Sequence, residues 1–207
     1  MPELSTLKDL FVKELRDIYD AEKQLTKALP KMAKAAESDE LRSAFEEHRE
    51  QTVGQIERIE QVFEMLGERA KSIPCKGMKG LVEEGSEIMQ EDGEGAVIDA
   101  GLIGAAQKVE HYEIAAYGTL ITYAKLMGNE EIGDLLGETL DEEKETDQRL
   151  TSLAKDFVNP QAEHEGDEEE VGQSRGSART RSTAANRPRG GGGRARSAGR
   201  SGSSKKR

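Results

Sequence analysis

Glu110 and Glu113 are placed where acids rarely sit in a helical protein. In the stretch KVEHYEIAAYGTLITY (108–123), Glu110, Glu113 and Tyr117 fall at i, i+3 and i+7, the spacing of one helix face. The same face runs on through Leu120, Ile121 and Ala124, and back through Ala106 and Ile103. Two carboxylates therefore interrupt an apolar stripe, the reverse of an amphipathic helix that keeps its acids in water. Three further acids share the pattern. Glu22 is the acid inside the first long apolar repeat, and Glu143 and Asp147 lie four residues apart on one face of the last. No Lys or Arg falls on these stripes near them. An ionised carboxylate costs several kcal/mol to bury unless it is paired. Such a set must hold protons, hold water or bind a cation. Inward carboxylates in a helix bundle build di-iron or di-manganese sites, and their hard oxygens suit iron, manganese, magnesium or calcium. Any one of these acids taken singly also fits a hydrated bundle acid; the set Glu22, Glu113 and Glu143 carries the metal reading.

Four long amphipathic segments must position these groups. Residues 4–36 repeat apolar residues from Leu7 to Met32 at three- to four-residue spacing, with Pro30 expected to kink the helix. Ser38-Asp39 supplies a turn and an N-cap. Residues 39–66 form the second helix, whose interior stripe turns polar at His48, Thr52 and Gln55, with Gly67 as its C-cap. Residues 96–127 form the third, ending near Gly128-Asn129, and residues 130–157 the fourth, ended by Asn159-Pro160. Residues 67–95 connect the second and third, with a short helix from about Gly80 to Gln90. Almost 30 extended residues reach about 90 Å, while a 28-residue helix is about 42 Å long. The connection can cross the bundle, which makes the fold an all-α, ferritin-like four-helix bundle with a long crossover.

Antiparallel counting from the two short turns sets the heights. Glu22 falls level with residue 54, beside Gln51 and Gln55, while Glu113 faces Glu143 and Glu110 faces Asp147. All five acids can thus share one layer. His48 lies about two turns from it and reads as a hydrogen-bonded core histidine. His111 is one residue off the acidic face and reads as a flanking group. Tyr117 reads as a core residue within reach of an acid.

Composition narrows the rest. The single cysteine, Cys75, cannot form an internal disulfide, and no run of 18 apolar residues is present, so a soluble cytoplasmic protein is expected. The net charge of −11 is unevenly spread. Residues 1–159 carry 35 acids and 19 Lys/Arg, residues 160–173 carry six acids and no base, and residues 174–207 carry 11 Lys/Arg and no acid. The last two segments read as an acidic linker and a disordered Arg/Gly/Ser-rich tail. The tail has no aromatic residue to stack on bases, so any nucleic-acid binding would be phosphate-driven and salt-sensitive. It can equally fold back on the acidic bundle as a solubilising arm.

The segments DIYDAEKQLTKALPKMAKAA (17–36), LRSAFEEHREQTVGQIERIEQVFEMLG (41–67), AAQKVEHYEIAAYGTL (105–120) and TLDEEKETDQRLTSLA (139–154) resemble the bacterial YciF-type ferritin-like stress proteins over residues 4–157. The resemblance implies a four-helix ferritin-like domain, a homodimer, a link to stress response and a metal site. It assigns Glu22 to the helix-one acid, Glu110 and Glu113 to the acids of VEHYE, and Glu143 and Asp147 to helix four. Two departures stand out. Ferritins and rubrerythrins carry Glu-x-x-His on helices two and four, whereas helix four here has no histidine after Glu143 and helix two offers Gln51 and Gln55. An iron or manganese site with one weak or vacant position is the expectation, with Glu113 and Glu143 bridging, Glu22 and Asp147 terminal, and Glu110 assisting. Oxidation of Fe(II) or consumption of peroxide would follow from such a site. The reading from a different class is a non-catalytic bundle that acts as a scaffold or nucleoid-associated protein through its basic tail.

Overall fold

The computed structural model describes residues 4–164. The chain forms α1 (Leu7–Ala35), α2 (Asp39–Met65), α3 (Lys76–Ile88), α4 (Gly95–Leu126) and α5 (Glu130–Leu153). Local chemistry sets the ends. Thr6 and Asp9 form a reciprocal capping box at the start of α1, with the Asp9 N–H donating to Thr6 Oγ1 at 3.1 Å and the Thr6 N–H to the Asp9 carboxylate at 2.9 Å. Ser38 caps α2, its Oγ accepting from the Leu41 N–H. Gly67 and Gly128 take φ of +66° and +76°, the left-handed conformation that ends a helix at low cost in glycine.

Short turns make α1 antiparallel to α2 and α4 antiparallel to α5. Asp17 on α1 meets Tyr112, while Ser38, just past the end of α1, meets Asp99, so α1 also runs against α4. Along α2, Glu47 meets Arg149 while Arg58 meets Thr139, so α2 runs against α5. Hence α2 and α4 are parallel, as the crossover requires. Each long helix packs against two others, in the ring order α1, α2, α5, α4, and α3 covers the α1–α4 side. This is the four-helix bundle with a long crossover expected from the sequence.

Two details differ. The short helix starts at Lys76, not near Gly80, because Cys75 caps it and Gly77 has a packing role. A Cβ on Gly77 would lie 2.7 Å from the Tyr112 ring, so the missing side chain lets α3 press onto α4. Pro160 does not end the last helix. Residues Ala154–Val158 form a π-type turn, and helical backbone resumes to His164. The Asn159 N–H reaches back to the Ala154 carbonyl, so Pro160 sits in the first turn of the resumed helix, where its missing N–H costs little. The rest of the acidic linker and the basic tail lie outside the described residues.

The core is divided by a polar layer. Ile18 and Leu25 flank Glu22 on α1, Thr52 and Ile59 flank Gln55 on α2, and all six are buried. At one end Tyr19 and Phe63 meet edge to face with centroids 5.7 Å apart. Toward the other end, Leu29, Met32, Leu41, Phe45 and Leu102 close the apolar packing.

Candidate metal centre

Each helix of the ring contributes to the polar layer. Glu22 from α1, Gln55 from α2, Glu113 from α4 and Glu143 from α5 are all fully buried. Glu110, one turn before Glu113 on α4, and His48, two turns before Gln55 on α2, are buried beside them. Ligand atoms of His48, Glu110, Glu113 and Glu143 lie within 4.8 Å of one another, close enough to share an ion. His48 Nε2 is 3.3 Å from Glu110 Oε1 and 3.8 Å from Glu143 Oε2. Glu22 adjoins this group, held by a hydrogen bond donated from the Tyr117 hydroxyl. Gln55 Nε2 donates to Glu143, which fixes that carboxylate toward the interior.

The cluster has no fixed cation. Among the described residues, no Lys or Arg forms an ion pair with Glu22, Glu110, Glu113 or Glu143; His48 is their one basic neighbour. Seven buried atoms aimed into the layer have no hydrogen-bond partner: Glu22 Oε2, His48 Nε2, Gln55 Oε1, Glu110 Oε2, both oxygens of Glu113 and Glu143 Oε2. Buried polar atoms are nearly always satisfied. A concentration of orphaned oxygens at one point is therefore a fit to a missing cation, and the donors are hard oxygens with one imidazole.

Electrostatics agree with this. Burial pushes the Glu22 carboxyl up to about 7, against the lowering pull of Tyr117 and His48. Burial, then the charges of Glu22, Glu143 and Glu110, raise Glu113 well above the carboxylate range. Burial and Glu110 do the same to Glu143. For His48, burial favours the neutral ring, but Glu110 outweighs it and lifts the imidazole above its ordinary value. Without a cation, the site keeps protons that free carboxylates would release.

Of the five acids expected to share a layer, four come together and one does not. Asp147 lies at the α4–α5 edge, where its Oδ1 accepts from Gln107 at 3.0 Å and stands 3.5 Å from His111 Nε2. Its side chain is 24% exposed. His111 is outside the cluster, as its position off the acidic face implies. His48 requires a correction: it is a member of the cluster and not a separate core histidine. The site spans two turns, and Glu110 extends one turn along α4 to meet the imidazole. A polar run on an interior stripe, His48 through Gln55, was the signal available. Arg58, another interior-edge residue, pairs with Glu142 through both guanidinium nitrogens and donates to Thr139 at 3.0 Å, away from the cluster.

Comparison with known proteins places the chain. The family model described as "Domain of unknown function (DUF892)" matches residues 6–163. The chain belongs to this family. It is 50% identical to Protein YciF of Escherichia coli over 162 residues, covering 78% of this chain and 98% of the relative. The crystal structure of the E. coli stress protein YciF superposes with a TM-score of 0.73, covering 75% of this chain and 99% of that one. YcfI from Rhodopseudomonas palustris is 42% identical, with a TM-score of 0.71 over 73% of this chain and 96% of its own. A Xanthomonas campestris protein at 23% identity shares the fold, with a TM-score of 0.62 over 78% of this chain and 99% of that one.

Within this DUF892 chain the donor set differs from the usual ferritin-like one, a Glu on each of two helices and Glu-x-x-His on each of the others. Three residues after Glu143 stands Thr146, and three after Gln55 stands Arg58. The histidine comes instead from His48, and the second acid of its layer from Glu110.

Proposed function

We propose that this protein is a stress-associated, ferritin-like metal protein whose buried cluster binds iron or manganese. The observation that carries the reading is the convergence of four buried glutamates and one histidine, with no Lys or Arg among the described residues ion-paired to them. The stress association rests on the likeness to E. coli YciF.

Glu113, with both oxygens unpartnered, would be the central ligand, and Glu143, oriented by Gln55, would join it. Glu22, held by Tyr117, would add a further carboxylate, and Glu110 with His48 would complete the donor set. Iron or manganese bound here would supply a redox couple able to act on Fe(II), oxygen or peroxide. The residues would bind the cation and exclude bulk water, and Glu22, Glu113 and Glu143, whose carboxyls burial raises above the ordinary range, would give up protons when it enters. Tyr117 keeps its own proton, since burial and the nearby acids push its hydroxyl well above the ordinary range.

The test is metal analysis of the full chain, as purified and after anaerobic Fe(II) or Mn(II) titration. At least one tightly bound equivalent per chain is expected; trace metal alone overturns the reading. Fe(II) oxidation by oxygen or peroxide, followed by absorbance, then decides between storage and turnover.

The charge partition favours a second activity for residues 174–207. Eleven Lys/Arg without an acid suit sequence-independent binding to a phosphate backbone. Truncation after Gln173 is expected to abolish DNA retardation at low salt, and an unchanged shift rejects DNA binding by the tail. If the bundle also fails to bind metal, the scaffold reading takes over. Homodimerisation, implied by the likeness to the family, is checked by light scattering on the same preparation.

A further inference from the structure

The buried groups are not equally sealed. Glu22, Glu113 and Glu143 have no exposed surface, whereas Glu110 and His48 keep 1% and 3%. That remnant opens into a recess of about 160 Å³ between α2 and α5, with His48 and Glu110 at its floor and Gln51 and Thr146 on its wall. His48 Nδ1 lies 3.4 Å from both Gln51 Oε1 and Thr146 Oγ1, so the ring stands between the recess and the cluster. The mouth is charged. Glu47 and Glu145 border it together with Arg149, which donates to Glu47 across the gap from α5 to α2.

Two features separate this recess from an ordinary packing defect. Its floor is the His48 ring, whose Nε2 faces the cluster on the other side, and Glu110, whose Oε2 is buried without a hydrogen-bond partner. Its cover is an exposed ion pair, with side chains 44% and 59% accessible. Pairs of that kind add little to stability, so opening the mouth costs little. Closed, Arg149 neutralises Glu47 and places a positive charge in the path of a cation. Open, Glu47 and Glu145 present two negative charges at the edge of a low-dielectric channel, an arrangement that focuses attraction on a cation.

We propose that the α2–α5 recess is the route by which a divalent cation reaches the buried carboxylates. Glu145 and Glu47 draw it in, Arg149 closes the mouth, and His48 with Glu110 makes the first buried contact before transfer to Glu113 and Glu143. This rests on the metal-binding reading above.

The test measures rate separately from affinity. Full-length protein is mixed with Co(II) under anaerobic stopped flow, and binding is followed by visible absorbance in wild type, Arg149→Ala, Glu145→Lys and a control, Glu83→Gln, on the far side of the bundle. Arg149→Ala is expected to bind several-fold faster. Glu145→Lys is expected to bind about tenfold slower at low ionic strength, with the gap closing as salt is added. Final amplitude and equilibrium affinity should stay within about twofold of wild type, because the altered residues lie outside the cluster. Equal rates in all four proteins overturn the route while leaving the metal site standing. Absence of Co(II) binding in wild type overturns the metal site itself, and the route with it.

Discussion

Glu142 and Glu143 are neighbours in sequence, about 100° apart around α5, and their surroundings are opposite. Glu142 is 26% exposed and is gripped by both nitrogens of Arg58. Glu143 is fully buried, meets no Lys or Arg, and keeps one oxygen unpartnered. Gln55 Nε2 touches both carboxylates, so the two lie at the same height in the bundle. The fold can therefore set an arginine against a carboxylate at this level and does so on the rim. The interior lacks one by arrangement, not for want of a cation nearby. The rim pair gains structure from its charge; the interior acids sacrifice stability for a charge that only an added cation can balance.

The sharpest way to break that contrast is to neutralise an interior acid. Glu113→Gln is expected to lower metal affinity by at least about 100-fold, since ligand loss exceeds the 10–100-fold seen for supporting residues. The same change should raise the melting temperature of the metal-free protein, because it removes a buried carboxyl without a partner. Calorimetry with and without metal reads both. A fall in metal-free stability would mean that Glu113 is held by a partner absent from the cluster described above.

A second test uses pH. The folded-state value of Glu22, about 7, lies above its unaltered value of 4.5. Between these limits the unfolded chain releases its proton first, so stability is full below about 4.5 and falls as pH rises toward 7. Glu113 and Glu143 extend the loss to higher pH, and His48, also raised, has the same sign. The metal-free protein should thus melt several degrees lower at pH 8 than at pH 5. Metal should reverse the trend, because its affinity rises as the ligands deprotonate. Glu22→Gln should flatten the lower part of the slope.

On the rim the expected effect is smaller. Arg58→Ala should destabilise by about 1–3 kcal/mol, by leaving Glu142 and Thr139 without their shared donor. Urea unfolding measures it. Metal affinity should change little, and the double variant Arg58→Met/Glu142→Leu should recover much of the loss.

Much of this architecture was legible in the sequence. Apolar spacing located the four long helices, the lengths of the turns and crossover decided their directions, and counting back from Ser38 and Gly128 set Glu22 beside Gln55 and Glu113 opposite Glu143, two pairs that the fold then brings into one layer. His48 was missed for a physical reason. Counting along helices ranks Cα heights, whereas a histidine and a glutamate each reach several ångströms along the axis. Glu110 and His48 meet one turn from the layer because their side chains span the difference. Arg58 was missed because a residue at a stripe's edge can turn toward either side, and the deciding partner, Glu142, lies on another helix. The last helix outran its proline because the π-type turn before it depends on local hydrogen bonding that spacing does not record.

Asp147 offers the finest division between rim and interior. It follows Glu143 by one turn, but four residues advance about 400° around a helix, so its carboxylate is rotated about 40° toward the α4 edge. There Gln107 and His111 engage it, and it is neither unpartnered nor sealed from water. Asp147→Asn keeps the side chain's size and the neighbouring helix contacts while removing a charge that solvent already screens. Metal affinity measured by competition with a chelator should shift by less than about threefold. A loss comparable to that of Glu113→Gln would place Asp147 among the ligands and require the α5 side chains to reorient when metal enters.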